Sequence, residues 1–544
     1  MLKLSYIVPL LLISLAAKAQ VGPPPADPVP PLIAKPVQVV PGSFLIKRKL
    51  GQAGASGAAV AAAIHTQAKT STVKRYDYPT GLELIQVAAG ASSAQAVAVY
   101  ENHPTIDYIE PNYVLHALST PNDPYYKYQF ALNNLGQSGG YTDADMNGPE
   151  GWDRNSGNSE VVVGIIDTGI DYTHPDLREN VWTNSLEIPG NRIDDDHNGY
   201  IDDVHGYNAV KNNGDPMDDN VHGSHVAGII GAVGNNGVGI TGINQKVKMI
   251  GCKFLDANGS GDTAAALTCM NYFAALANRV NNPVKVVVTN NSWGGGLSSK
   301  AFTDAVKVHR NLGILFFAAA ANASNNNDVN PTFPASVISS NVVTVAATDN
   351  KDGLASFSNY GKRSVLVAAP GVNILSTVPG GKYNYLSGTS MATPYVTGLA
   401  ALLKSNDSSL DWISIKNLVI AGGEPIAAAK NTTMSGRRIR ITDTDGQGSF
   451  TCNNQLVSGR LLPLSSSISM RVGQSLPISL MKINCAKSVQ VAGVPSTGLT
   501  NDIGQAPDDI AYDGVFNGYF TPTAAGTYRL AFPNEDYVTV AVTR

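Results

Sequence analysis

Charge is the first thing this 544-residue chain has little of: Asp, Glu, Lys and Arg together make up 15%, against about a quarter in an ordinary globular protein. What charge there is sums to −4, so no basic field exists to hold a phosphate backbone, and nucleic acid is excluded as a partner. Aromatic residues, at 7%, are spread along the chain instead of being interleaved with Lys and Arg, which removes a stacking platform as well. Long apolar runs are missing beyond the N-terminus, and residues 312–321 read as a buried strand, so no transmembrane helix is expected. Cysteine is scarce: Cys252, Cys269, Cys452 and Cys485 show no metal-ligand spacing, and none stands beside a His as a thiol nucleophile would.

The N-terminus reads as an address. Lys3 is followed by an apolar run over 4–16 and by Ala17-Lys18-Ala19, a small-x-small cleavage site, so 1–19 is expected to be a signal peptide. The run is shorter than the ~18 residues a span needs. A membrane anchor is therefore not expected, and the mature protein should be secreted, extracellular or periplasmic in transit. Export permits disulfides. Cys452 and Cys485, in one late segment, are expected to pair, while Cys252 on an apolar strand and Cys269 on a helix face read as two inert buried thiols.

Residues 20–36 (QVGPPPADPVPPLIAKP) form a Pro-rich spacer with too few packing groups to fold. Over 37–118 the pattern is a small α/β unit, with strands at 43–47, 82–87 and 106–109 and a helix over 93–101, closing in Glu110-Pro111-Asn112-Tyr113-Val114. Residues 119–445 alternate continuous apolar strands (161–166, 247–254, 284–289, 312–317, 342–347) with helices (225–233, 264–280, 301–311, 391–404). Such runs suit a mostly parallel sheet with helices on both faces, an α/β architecture whose ligands bind at the carboxyl ends of the strands. After 445 the composition turns to Ser, Thr, Val and Gly in short alternating runs, so 446–544 reads as a C-terminal β-sandwich.

Three motifs carry chemistry. Val161 to Gly169 delivers Asp167 at the end of a buried strand. Asp218 to Gly228 places His222 at the start of a helix, with His225 one turn on. That pair lacks a third ligand and a general-base Glu, so zinc is not favoured and His225 reads as structural. Leu386 to Pro394 opens a helix at Ser390, where free N–H groups and the positive helix end favour developing negative charge. Pro394 is expected to fall in the first turn, where N–H groups lack partners anyway.

The order Asp, His, Ser, with IIDTGID, HGSHVAG and GTSMATP, resembles the signature motifs of subtilases, the subtilisin-like serine proteases. The 37–118 unit, ending in E-P-N, resembles their inhibitory propeptides; an unrelated small binding domain is the alternative. The resemblance implies a subtilisin-like fold with a small α/β propeptide, and a zymogen cut between about 115 and 122. It implies Ser390 as nucleophile, His222 as base and Asp167 as the carboxylate that orients it. Ala318 to Asn322 resembles the segment whose Asn forms the oxyanion hole, which assigns Asn322 that role with the Ser390 N–H as second donor. Ser292, Trp293 and Gly294 resemble the strand that pairs with extended substrate, although Trp293 could equally be core packing. A neutral, partly apolar cleft implies broad preference for hydrophobic or uncharged side chains. Three departures stand out: Val221 and Ala321 where the family has Gly, and Ser224 where it has Thr. Ala321 implies a backbone compatible with an L-residue, or one locally adjusted.

One loop is dense in acid. Asp194, Asp196, Asn198, the Tyr200 carbonyl and Asp202 fall at alternate positions of an EF-hand-like loop, with Gly199 at the turn. His205 stands where the closing Glu belongs, so Asp203 or a neighbour must supply the last oxygen. A structural Ca2+ is expected, against a merely solvated acidic loop. The reading is a secreted serine endopeptidase acting on proteins or peptides, inhibited by its own propeptide and monomeric. Its rivals are a catalytically inactive, calcium-dependent surface-binding protein working through 446–544, and a highly selective processing protease.

Overall fold

The computed structural model describes residues 39–544 apart from 50–54, 79, 114–119, 281, 443–447, 451, 453–455, 486–499, 505, 507 and 535. The expected signal peptide, the Pro-rich spacer, most of the maturation junction and the 445/446 boundary lie outside the described residues.

The first unit is an antiparallel four-stranded sheet. It is built from Val39–Arg48, Thr70–Tyr76, Leu82–Val87 and Ile106–Tyr113, with helices Ala55–Ala68 and Ser93–Glu101. The segment Leu82–Val87 alternates in burial, the period-two signature of a sheet with one face covered. Ile46, Ile64, Ile85, Ala96, Tyr100 and Ile106 fill the core between sheet and helices. The helix Ala55–Ala68 and the strand Thr70–Tyr76 were not anticipated: an Ala-rich run with Gly has little periodicity for a pattern to catch.

The central unit carries a nine-stranded sheet. Its parallel core runs in the order Val367–Pro370, Val342–Thr348, Leu315–Ala319, Val286–Asn291, Gly157–Asp167, Lys246–Lys253, Gly206–Asn208. Every residue of Val342–Thr348 and of Val286–Asn291 is buried, because helices cover both faces. Val163, Ile165, Phe317 and Val345 pack toward the helices His222–Gly231 and Thr389–Asn406. Ile166, Phe316 and Val342, pointing the other way, pack toward Thr263–Asn278 and Lys300–Asn311. The four expected helices and five expected strands are all present, shifted by a few residues at most. The helix Trp412–Ala421 and the hairpin Ile374–Val378/Lys382–Leu386 are additions.

One expectation fails outright. Cys252 and Cys269 are not two free thiols but a disulfide, as are Cys452 and Cys485. Cys252 lies on the strand Lys246–Lys253 and Cys269 on the helix packed over it, with Cα atoms 5.6 Å apart, inside bridging range.

The C-terminal unit is a sandwich of a four-stranded and a three-stranded sheet. Ile478, Leu480 and Phe516 of one face Leu530, Val538 and Val540 of the other. It is also packed onto the central unit: Val457, Met481, Ile483 and Val515 join the main core cluster. Buried Lys416 donates to the Asp513 carbonyl at 2.9 Å, and Arg363 pairs with Asp536 at 3.2 Å.

Candidate active site

The parallel sheet brings the three motifs to its carboxyl edge. Asp167 is the last residue of its strand and is fully buried. His222 is the first residue of its helix, and its Nδ1 lies 2.8 Å from Asp167 Oδ1. The same oxygen accepts the Thr168 N–H at 2.7 Å, while Oδ2 is buried without a protein partner, so the carboxylate's charge is aimed at the ring. Burial pulls the His222 ring down, but Asp167, through its charge and its hydrogen bond, and then Asp218, outweigh burial and hold the ring above its ordinary value.

What fixes this helix against the Asp strand is a carboxylate whose role the motif did not disclose. Asp218 Oδ1 accepts the Thr168 hydroxyl at 2.9 Å and the Asn220 N–H at 2.9 Å. Its Oδ2 accepts Ser224 Oγ at 2.7 Å and the Ser224 N–H at 2.9 Å. Thr168 Oγ1 in turn accepts the Gly223 N–H at 2.8 Å. The approach is so close that a Cβ on Gly223 would stand 2.0 Å from the Gly169 carbonyl. His225 is buried, with Nε2 near the Ile374 and Asn384 carbonyls at 3.0 and 3.1 Å. Burial lowers its pKa to about 3, which keeps it a neutral donor to those carbonyls and matches the structural role expected of it.

Ser390 sits in the first turn of Thr389–Asn406, after Gly388. Its hydroxyl donates to the Ser292 carbonyl at 3.0 Å and not to the His222 ring. Pro394 is not in the first turn, as expected, but the sixth helical residue. Its missing N–H leaves the Ser390 carbonyl without the usual i→i−4 donor, and Ser292 Oγ takes that place at 2.9 Å. Asn290 Nδ2 steadies the Ser292 hydroxyl at 2.9 Å, so the strand Val286–Asn291 and the Ser390 helix are stitched together.

Asn322 follows the strand Leu315–Ala319. Its Oδ1 accepts the Thr389 N–H at 2.8 Å and the Thr389 hydroxyl at 2.9 Å, which fixes the amide with Nδ2 outward. A Cβ placed on Gly388 would lie 3.4 Å from Asn322 Nδ2 and 3.5 Å from the Ser390 nitrogen. The space that Gly388 leaves open is therefore bordered by two nitrogens able to donate. Trp293 packs its ring against Phe254 and Phe302, at 4.7 and 5.6 Å, so its side chain belongs to the core; Ser292 is buried and Gly294 exposed.

Comparison with known proteins decides the family. Residues 158–437, just over half the chain, match the model described as "Subtilase family". The chain belongs to the subtilase family. Residues 35–112 match the "Fervidolysin N-terminal prodomain". Over 311 residues the chain is 40% identical to a thermophilic serine proteinase of Bacillus sp. (strain AK1), covering 57% of this chain and 66% of that protein. It is 39% identical to subtilisin-like protease 1 of Plasmodium vivax, over 48% of this chain and 43% of that one. With thermitase of Thermoactinomyces vulgaris it is 37% identical, over 53% of this chain and 87% of thermitase. The chain thus spans less than two thirds of the first two relatives. A solved cold-adapted subtilisin-like serine proteinase aligns at 30% identity and a TM-score of 0.43, covering 53% of this chain and 91% of that one.

For a subtilase, the three departures now have a physical reading. Val221 has φ −164°, outside the left-handed region that favours glycine. Ser224 keeps the hydroxyl that Asp218 requires. Ala321 is different: its φ is +88°, so the backbone keeps the left-handed conformation and the L-residue bears the strain. The Ala321 N–H donates to Thr389 Oγ1 at 3.2 Å and its carbonyl accepts the Asn359 N–H at 2.8 Å, which holds it there.

In the acidic loop the structure gathers Glu187, Asp194 and Asp196, with ligand oxygens within 4.8 Å of one another. Glu187 precedes the loop and was missed, because a reading by EF-hand offsets looks only forward for the closing carboxylate. Asp203 is buried, bonded to Tyr272 at 2.7 Å and to Asn184 and Asn198 at 3.1 Å, with its pKa pushed up by burial to about 7. Asp202 caps the turn at Gly190 and Arg192. Neither belongs to the three-carboxylate group. Asn198 Oδ1 accepts the Tyr200 N–H at 2.7 Å, and the Tyr200 ring is packed against Tyr207 and Tyr272.

Proposed function

We propose that the chain is a secreted serine endopeptidase, made as a precursor and acting through Asp167, His222 and Ser390. The observation that carries this is the pairing of buried Asp167 with part-exposed His222 at 2.8 Å, at the same sheet edge as Ser390 and the two nitrogens that flank Gly388. His222 accepts the Ser390 proton at Nε2 once the hydroxyl turns from the Ser292 carbonyl to the ring; catalytic hydrogen bonds are often slack before substrate binds. The alkoxide attacks the scissile carbonyl, and the oxyanion takes Asn322 Nδ2–H and Ser390 N–H. The imidazolium, stabilised by Asp167, then protonates the leaving amine, giving an acyl-enzyme that water hydrolyses by the same path reversed. Extended substrate pairs beside Ser292–Gly294, and protein or peptide substrates with uncharged side chains fit that neutral cleft.

The proposed organisation is a signal peptide over 1–19, a spacer over 20–36, an inhibitory propeptide over 37–118, a catalytic domain over 119–445 and a sandwich over 446–544. The prodomain match over 35–112 supports a propeptide in that part of the chain. No described helix is long and apolar enough to cross a membrane. Calcium is proposed at the acidic loop with a revised set: Glu187, Asp194 and Asp196, with Asn198 and the Tyr200 carbonyl as further oxygens. Arg279 pairs with Asp196, so net negative charge remains, and an all-oxygen donor set suits a hard cation. The ion would supply charge neutralisation and cross-link the loop.

The test is Ser390→Ala. The variant should accumulate as an uncut precursor that leaves casein intact. Casein cleavage by that variant would remove Ser390 as nucleophile, whereas a parent protein that neither matures nor cleaves casein would favour the surface-binding reading.

A further inference from the structure

Lys253 ends the strand Lys246–Lys253 beside Asp167, with which it is in register. Its side chain is only 1% exposed, a costly place for a cation unless every N–H is met. All are. Nζ donates to the Thr168 carbonyl at 2.8 Å, to the Leu255 carbonyl at 2.7 Å and to Asp219 Oδ1 at 2.5 Å. These acceptors lie on different segments. Thr168 follows Asp167, and Asp219 precedes His222 by one helical turn. Leu255 belongs to the segment whose N–H groups at Phe254 and Leu255 donate to the Asp167 carbonyl at 3.0 and 3.3 Å. Asn220 makes a second tie: its Oδ1 accepts the Val221 and His222 N–H groups at 2.9 and 3.2 Å, and its Nδ2 donates to the Ala257 carbonyl at 2.9 Å. The start of the His222 helix is therefore held to the Asp167 strand from a third strand, in addition to the contacts of Asp218.

The charges nearby leave this clamp intact. Asp256, the other carboxylate beside the ammonium, is engaged by the Asn258 and Ser260 N–H groups of its own loop at 2.9 and 3.0 Å. Facing the His222 ring are Asp167, Asp218 and the neutral His225. Lys253 spends its three N–H groups elsewhere and its charge is matched by Asp219, so it acts on the main chain that carries the Asp167–His222 pair. We propose that Lys253 is a positioning residue for catalysis: by tying Thr168, Leu255 and Asp219 to one ammonium it sets the Asp167–His222 approach that proton transfer requires. The proposal rests on the triad reading above. Groups that act through others in this way hold the reacting atoms within the small tolerance that turnover demands.

The test follows peptide hydrolysis against pH in the full-length chain after maturation, below each protein's melting temperature. Lys253→Met/Asp219→Asn removes one charge of each sign, so the net charge stays as it was. It should lose about tenfold in kcat, the scale of a reacting group displaced by a fraction of an ångström, with KM little changed. Its kcat/KM midpoint should fall toward the ordinary 6.5 as the ring loosens from Asp167. A lower melting temperature with kcat and midpoint unmoved would overturn the proposal, because a merely structural tie gives that result. Should the double variant not fold, exposed Asp219 decides: Asp219→Ala and Asp219→Asn lose the same charge, and only alanine loses the acceptor. Turnover should fall several-fold further in Asp219→Ala; equal kcat would overturn the proposal. Fluorophosphonate labelling of the parent keeps the two readings apart. A parent unlabelled at Ser390 removes the triad reading and this proposal with it, whereas a labelled parent with unmoved variants removes this proposal alone.

Discussion

Ala321→Gly is expected to stabilise this protein, against the usual sign of an Ala-to-Gly change. At φ +88° an L-residue pays about 1–3 kcal/mol of backbone strain, which glycine does not. Glycine's wider freedom in the unfolded chain costs back about 0.4–1 kcal/mol, and the lost methyl is only half-buried. The balance is a gain of about 1 kcal/mol. At roughly 2 cal/mol/K per residue of unfolding entropy, a unit of this size should melt about 1–3 °C higher. The assay is thermal unfolding of Ala321→Gly and Ala321→Val in a Ser390→Ala background, which prevents self-digestion. Valine, branched at Cβ, should melt below alanine. A glycine variant that melts lower than the parent would mean that this backbone does not sit in the left-handed region, and would refute the reasoning.

Asn322→Ala should cut kcat by about 10²–10³ with KM little changed; an unchanged kcat in peptide hydrolysis would move the oxyanion role elsewhere. Because His222 must be neutral to act as base, and Asp167 holds its ring above the ordinary 6.5, kcat/KM should rise with pH through a midpoint above about 6.5. A midpoint below 6, or a maximum near pH 4, would contradict that. EGTA should lower the melting temperature of the parent and much less that of Glu187→Gln; the same loss in both would exclude Glu187 as a ligand, and no loss in either would exclude calcium from the loop.

The sequence disclosed where the candidate residues stand in the fold better than what holds them there. Asp167, His222 and Ser390 were legible because each motif ends a strand or opens a helix, and a parallel sheet gathers such ends along one edge. The continuous apolar runs disclosed that sheet because both faces are covered. Asp218 was not legible as the anchor of the His222 helix, since its partners Thr168 and Ser224 are brought to it only by the close approach of Gly223 to Gly169. The Cys252–Cys269 bond was misread because strand and helix meet only in the folded layers. Ser292 as the substitute partner for the Ser390 carbonyl follows from Pro394, but only once that residue's place in the helix is counted from Gly388. Glu187 escaped because it lies upstream of the loop it closes.

The central claim is that Ser390 becomes a nucleophile through His222. Its most direct test is intact-mass analysis of the mature protein after treatment with a fluorophosphonate at pH 8. One covalent adduct mapping to Ser390, formed orders of magnitude more slowly in His222→Ala, is the predicted result. An adduct elsewhere, or labelling at the same rate without the imidazole, would contradict it.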